Sequence, residues 1–268
     1  MQIASGKASI AAESHGTGEP TVLLIHAGVT DRRSWEHVVA RLPGHRCLTY
    51  DQRGYGLTTY DEEDGWSAVG DAVAVLDGYD AGRAVVVACS MGGRVALDLA
   101  LIHPERVAAL VLIAPAISGQ PQPTYEPEVE ALGEQAEAAE AAGDDGLVNE
   151  IDARVWLDGP SRPGRVQGPV RDLFLDMNGI ALRAPAEGEQ AEDASAWSRL
   201  GEIGVPTLLM IGDLDLAYLK GNIAHAAAAI PSALVVDLPG VAHVPHLEGD
   251  ERTLREIAAF VGGFAAGI

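Results

Sequence analysis

Cysteine is nearly absent from this chain of 268 residues. Its two cysteines, Cys47 and Cys89, cannot build the disulfide framework of a small secreted domain. Both lie in strand-like apolar runs, where a buried free thiol is the expected state. No Cys/His spacing of the zinc-binding kind occurs, so no metal site is expected. Basic residues are scarce too: 18 Lys and Arg stand against 39 Asp and Glu, a formal net charge of −21. A surface this acidic repels phosphate, which argues against nucleic acid and anionic membrane as partners. No apolar run approaches the roughly 20 residues of a membrane span. The opening residues, MQIASGKASI, lack a charged stretch followed by a long apolar one, so no secretory signal is expected and a cytoplasmic location is. What remains is 47% hydrophobic and 21% charged residues, the balance of a folded core and not of a disordered chain. The length suits one α/β domain.

Strand-like and helix-like segments alternate, which predicts a doubly wound, mostly parallel sheet with helices on both faces. Short strands are expected at 2–5 and 8–14. Continuous apolar runs, the mark of strands buried on both faces, follow at Thr21–His26, Arg46–Asp51, Ala84–Ala88 and Val107–Ala114, and again at 205–211 and 233–238. Helices are expected from about Ser34 to Leu42, from the Ser67 cap to about Tyr79, from the turn CSMGG to Pro104, near 218–229 and from Asp250 to Phe264. The alternation breaks between residues 118 and 200. There the chain offers a glutamate-rich segment in which Val129, Leu132 and Ala136 keep helical spacing, then helix-like pieces near 146–157 and 165–182. The expected organisation is therefore a core of 1–117 and 201–268 with a helical lid inserted at 118–200.

Chemistry concentrates where strands end. Ser90, in ACSMGG, falls between a buried strand and a helix, the position of a nucleophile on a tight turn at the carboxyl edge of a sheet. The other reading is a serine that merely caps the helix. Asp215, in IGDLDLAY, and His243, in LPGVAHVPHLE, follow two later strands. A serine hydroxyl needs an imidazole to take its proton, and the imidazole needs a carboxylate to fix its tautomer. The order Ser90, Asp215, His243 supplies all three. Asp213 competes for the acid role, its other reading being a turn residue that caps backbone amides. His246 competes for the base, its other reading being a lid or surface histidine. His15, His37, His45, His103 and His225 read as structural. Gly28, in HAG after the first long strand, and Met91 could offer backbone N–H groups to an oxyanion. In DQRGYG at 51–56, Asp51 and Arg53 can tie neighbouring loops by charge-assisted bonds.

Taken together, HAG at 26–28, DQRGYG at 51–56, CSMGG at 89–93, GDLD at 212–215 and HVPHLE at 243–248 resemble the α/β-hydrolase family over nearly the whole chain except the lid. HAGVTD, Trp35 and SMGG are similar to its branch of small lidded esterases, enol-lactonases and cofactor-free haloperoxidases. Ala27 and Ala88 stand where the family usually has glycine. The resemblance implies a serine hydrolase acting on a small carboxylic ester or lactone without metal or organic cofactor. C–C bond hydrolysis or a perhydrolase activity on the same triad, and a non-hydrolytic ligand-binding or biosynthetic helper on the same fold, stay open. Trp156, Leu157, Phe174, Leu175 and Met177 are the expected apolar roof, with Trp156 and Phe174 as substrate-pocket residues. The substrate itself and the oligomeric state are not legible in the sequence.

Overall fold

The computed structural model describes residues 1–265. Among them nine strands form one sheet: β1 (Gln2–Ser5), β2 (Ala8–His15), β3 (Val22–Ile25), β4 (Cys47–Tyr50), β5 (Thr59–Tyr60), β6 (Ala84–Cys89), β7 (Val107–Ile113), β8 (Thr207–Gly212) and β9 (Ala233–Leu238). The order is β1-β2-β4-β3-β6-β7-β8-β9, with β5 pairing the start of β2. Strands β4, β3, β6, β7, β8 and β9 run parallel, whereas β1, β2 and β5 join antiparallel.

The continuous apolar runs form the central strands because both of their faces are covered. Side chains alternate across a strand, and the two hydrophobic cores divide accordingly. Leu23, Ile25, Val86 and Ala88 enter one core; Val22, Leu24, Val85, Val87 and Cys89 enter the other. The first is closed by α2 (Ala68–Gly78), α3 (Met91–Ile102) and α7 (Ala217–Ala229), and the second by α1 (Glu36–Arg41) and α8 (Glu251–Ala265). Ser67 caps α2 through its Oγ, which accepts the Gly70 N–H at 3.0 Å. The helix expected over Ser34–Leu42 is divided: a 3₁₀ turn at Arg32–Trp35, capped by the Asp31 carboxylate, precedes α1.

Between β7 and β8 the chain forms α4 (Pro127–Ala141), α5 (Asp145–Asp152) and α6 (Pro169–Ala181). Helix α5 runs on as a π-turn over Ala153–Asp158, where sequence spacing alone reads one helix. The buried Asp158 carboxylate fixes the chain beyond this turn. It accepts the Gly164 and Val166 N–H groups at 2.7 and 2.8 Å and pairs with Arg171 at 3.1 Å. Both cysteines are free and buried. No helix among the described residues is long and apolar enough to cross a membrane.

The chain leaves β3 to one side through β4 and returns on the other through β6. In open α/β sheets such a switch point leaves a crevice at the carboxyl ends of the strands. Gly28 follows β3 and Ser90 follows β6, so the topology sets these two residues on either side of it.

Candidate active site

Ser90 occupies φ 54°, ψ −117° between β6 and α3. A helix N-cap would be extended and would use its side chain as acceptor; Ser90 does neither. A non-glycine residue held at such angles is strained by about 1–3 kcal/mol and persists only where surrounding structure enforces it. Here the Ser90 N–H donates to the Ile113 carbonyl at 2.9 Å, and its own carbonyl accepts the N–H groups of Arg94 and Ala116. The turn also needs residues without side chains. A Cβ on Gly92 would stand 2.6 Å from the His26 carbonyl oxygen, and one on Gly93 2.6 Å from the Pro115 Cβ. The methyl group of Ala88, by contrast, is absorbed in the core between β3 and β7.

Asp215 and His243 form a buried pair, Oδ2 to Nδ1 at 2.8 Å, with both side chains almost fully enclosed. The other carboxylate oxygen of Asp215 accepts the Leu216 N–H at 2.8 Å. A carboxylate on Nδ1 leaves Nε2 of the neutral ring as the proton acceptor. The His243 backbone is held from two sides. Its N–H donates to the Trp156 carbonyl at 3.2 Å, and its carbonyl accepts the Cys89 thiol at 3.4 Å. The residue before Ser90 thus touches the histidine segment directly. Burial pushes the Cys89 thiol up, so it stays protonated and acts as that donor. Among the described residues the Ser90 hydroxyl makes no hydrogen bond with protein; catalytic contacts commonly lengthen in unliganded enzymes. The competing residues lie elsewhere: Asp213 is exposed and accepts the Gly240 N–H at 2.7 Å.

Gly28 stands against Ser90's neighbour. A Cβ on it would meet the Met91 Sδ and the Tyr55 hydroxyl, each at 3.5 Å. The Gly28 N–H has no protein acceptor among the described residues, and Met91 opens α3, where first-turn N–H groups lack intrahelical partners. The loop is pinned from beneath by His26. Its Nδ1 lies 2.8 Å from the Ala27 carbonyl, and its Nε2 accepts the Gln52 N–H at 3.0 Å, which fixes the tautomer. Burial lowers the His26 pKa and keeps the ring neutral. Ala27 C=O and Gly28 N–H share one peptide plane, so anchoring the first aims the second. Tyr55 adds a hydroxyl donated to the Gly28 carbonyl at 3.0 Å. Within the same loop Asp51 accepts the Arg32 and Leu57 N–H groups at 2.9 and 2.7 Å, and Arg53 pairs with Asp71 and Glu63, each at 2.9 Å.

Sequence reasoning leaves three partners of this site unseen: Cys89, Gln52 and the Tyr55 hydroxyl. Each acts through a contact between segments distant in sequence. Two other expectations are corrected. His246, read as a lid or surface residue, is fully buried and stacked on Trp35, ring centroids 4.1 Å apart. It follows His243 on the chain's path back into the core and packs against the second cluster. Phe174, expected to face a substrate, is fully buried in the second core with Leu157 and Met177. Trp156 is the one whose ring meets the site, 4.7 Å from the His243 ring. Leu175 is half-buried at the edge of the same core. Among the described residues no group of three or more His, Cys, Asp or Glu side chains is placed to hold a metal.

The family model of the alpha/beta hydrolase fold matches residues 20–250. The chain is 25% identical over 267 residues to the 2-(acetamidomethylene)succinate hydrolase of Mesorhizobium japonicum, covering 96% of this chain and 92% of that protein. Its structure superposes on a thermophilic esterase from Thermogutta terrifontis with TM-score 0.77 and 23% identity, over 98% of each chain. It superposes on the enol-lactonase from Burkholderia xenovorans LB400 with TM-score 0.75 and 22% identity, over 98% of this chain and 100% of that one.

Proposed function

The chain belongs to the α/β-hydrolase family, and we propose that it is a serine hydrolase which cleaves a small carboxylic ester or lactone through an acyl-enzyme on Ser90. The observation that carries this reading is the strained backbone of Ser90, which no helix cap requires. In the proposed reaction Ser90 Oγ attacks the carbonyl carbon while His243 Nε2 takes its proton. Asp215 holds the imidazole in the required tautomer and stabilises the imidazolium. The Gly28 and Met91 N–H groups bind the oxyanion. His243 then protonates the leaving oxygen, and water, deprotonated by the same ring, releases the acid. The segment 118–200 is the lid, and its Trp156 orients His243 through both backbone and ring.

A hydrolysis screen of p-nitrophenyl esters by chain length, with lactones alongside, tests the reading. Ser90→Ala is expected to lower kcat by several orders of magnitude, up to about a millionfold where a triad acts as a unit, with folding unchanged. Retention of a tenth of the activity would end the covalent mechanism.

A further inference from the structure

A cavity of about 290 Å³ lies between α2, α3 and the returning chain at 187–193. Its size suits one arm of a small substrate more than a whole drug-sized ligand. Tyr55 and Met91, the two side chains that touch Gly28, are also walls of this cavity. It therefore adjoins the peptide proposed to bind the oxyanion. Trp66, Val69 and Val95 make much of the remaining wall apolar.

The polar groups at this end divide unequally. Of the donors on the wall, Arg94 lies 3.7 Å from Asp193, whereas Arg53 and Tyr55, nearest the oxyanion peptide, are engaged. Arg53 gives its Nε and Nη2 to Asp71, its Nη1 to Glu63 and Nη2 again to the Ser5 carbonyl. The Tyr55 hydroxyl is donated to Gly28. Among the acceptors, Asp71 and Asp98 are engaged by Arg53 and Ser118, and two others are not. Gln52 is only 5% exposed, and its amide contacts the His26 carbonyl at 3.0 Å. A carbonyl only accepts, so the contacting atom must be the amide nitrogen; Oε1 has no hydrogen-bond partner among the described residues, and Gln52 lines the cavity. The Glu187 carboxylate likewise has no hydrogen-bond or ion-pair partner among the described residues. It lies over the Asp51–Gly56 loop, where a Cβ on Gly54 would meet its Oε1 at 2.8 Å. Partial burial pushes its carboxyl upward from the ordinary value, against the pull of the nearby Arg53 charge. A half-buried carboxylate without a hydrogen-bond partner is costly unless a donor reaches it. The net charge of −21 also raises the local concentration of cations over anions.

We propose that this cavity is a substrate subsite for an acyl arm ending in a primary or secondary ammonium group, with Glu187 and the Gln52 Oε1 as its acceptors. This rests on the serine-hydrolase reading for its link to turnover, and the test separates the two.

p-Nitrophenyl ω-aminoacyl esters of six to eight carbons are compared with their isosteres, in which a methyl group replaces the ammonium. The expected kcat/KM favours an ammonium ester by about tenfold, the effect of one charge-assisted contact. Glu187→Gln is expected to bring that ratio close to one while the methyl-terminated esters keep their wild-type rates. A wild-type ratio of one or below at every length, or a preference that survives Glu187→Gln, overturns the subsite and leaves the hydrolase standing. Binding of hexylammonium, measured by calorimetry on the wild-type protein and on Glu187→Gln, is the second arm. If no ester is hydrolysed, the hydrolase reading fails, and hexylammonium still decides: binding that weakens about tenfold in the variant supports the subsite, and equal or absent binding rejects it.

Discussion

Asp213 and Asp215 stand two residues apart after β8 and face different neighbours: Asp213 Oδ1 accepts the Gly240 N–H at 2.7 Å, whereas Asp215 Oδ2 meets His243 Nδ1 at 2.8 Å. The first is exposed and closes a turn; the second is buried beside the imidazole. Asp215→Asn replaces the acceptor with an amide that can favour the wrong tautomer. A loss in kcat of about ten-thousandfold is expected, the size seen when a triad loses its carboxylate. Asp213→Asn is expected to stay within a few-fold of wild type. Steady-state kinetics on one p-nitrophenyl ester compares them, and the reverse order would assign the acid to Asp213.

Trp156 and Phe174 sit in different surroundings. The Trp156 ring is half-buried against His243, and Phe174 is fully enclosed among core side chains. Trp156→Ala should shift the acyl chain length at which kcat/KM peaks. Phe174→Ala should leave that preference alone and lower stability by about 3–5 kcal/mol, the cost of emptying a large buried aromatic site. An unchanged preference in Trp156→Ala would remove it from the proposed lid's contact with substrate.

His246 imposes an acid limit on stability. Its ring is buried on Trp35 with neither nitrogen hydrogen-bonded, and its pKa is pushed down to about 3, first by burial and then by neighbouring imidazoles, His243 among them. In the unfolded chain an ordinary histidine titrates near 6.5. The unfolded state thus binds a proton that the folded state refuses, so stability is complete above pH 6.5 and declines as pH falls toward 3. The slope is about 1.4 kcal/mol per pH unit. His246→Phe keeps the stack and removes the titrating group. Urea midpoints at pH 7.5 and 5.5 should move less in the variant than in wild type; an identical shift would place the acid sensitivity elsewhere.

Legibility followed range. The run AVVVAC is apolar throughout because β6 is covered on both faces, and it reads as a buried strand without any tertiary knowledge. The turn that carries Ser90 is legible because a glycine-rich helix start follows such a strand directly. Strand β5, two residues long, carries no periodicity to read. The π-turn at Ala153–Asp158 shares its spacing with an ordinary helix end. His246 and His243 belong to one short loop and have similar sequence surroundings. Only the packing on Trp35 distinguishes the buried, unpartnered ring from the one that meets Asp215. The Gln52 and Tyr55 contacts arise where the loops after β3 and β4 meet, and local sequence does not encode that meeting.

The central claim is that Ser90 is the nucleophile. Its most direct test is intact-mass and peptide analysis after exposure to a fluorophosphonate. One adduct is expected on the wild-type protein. It should lie in the tryptic peptide 84–94, where Ser90 is the only hydroxyl residue, and Ser90→Ala should gain none. A protein that stays unlabelled while hydrolysing esters, or an adduct that maps to another residue and persists in Ser90→Ala, would contradict the account.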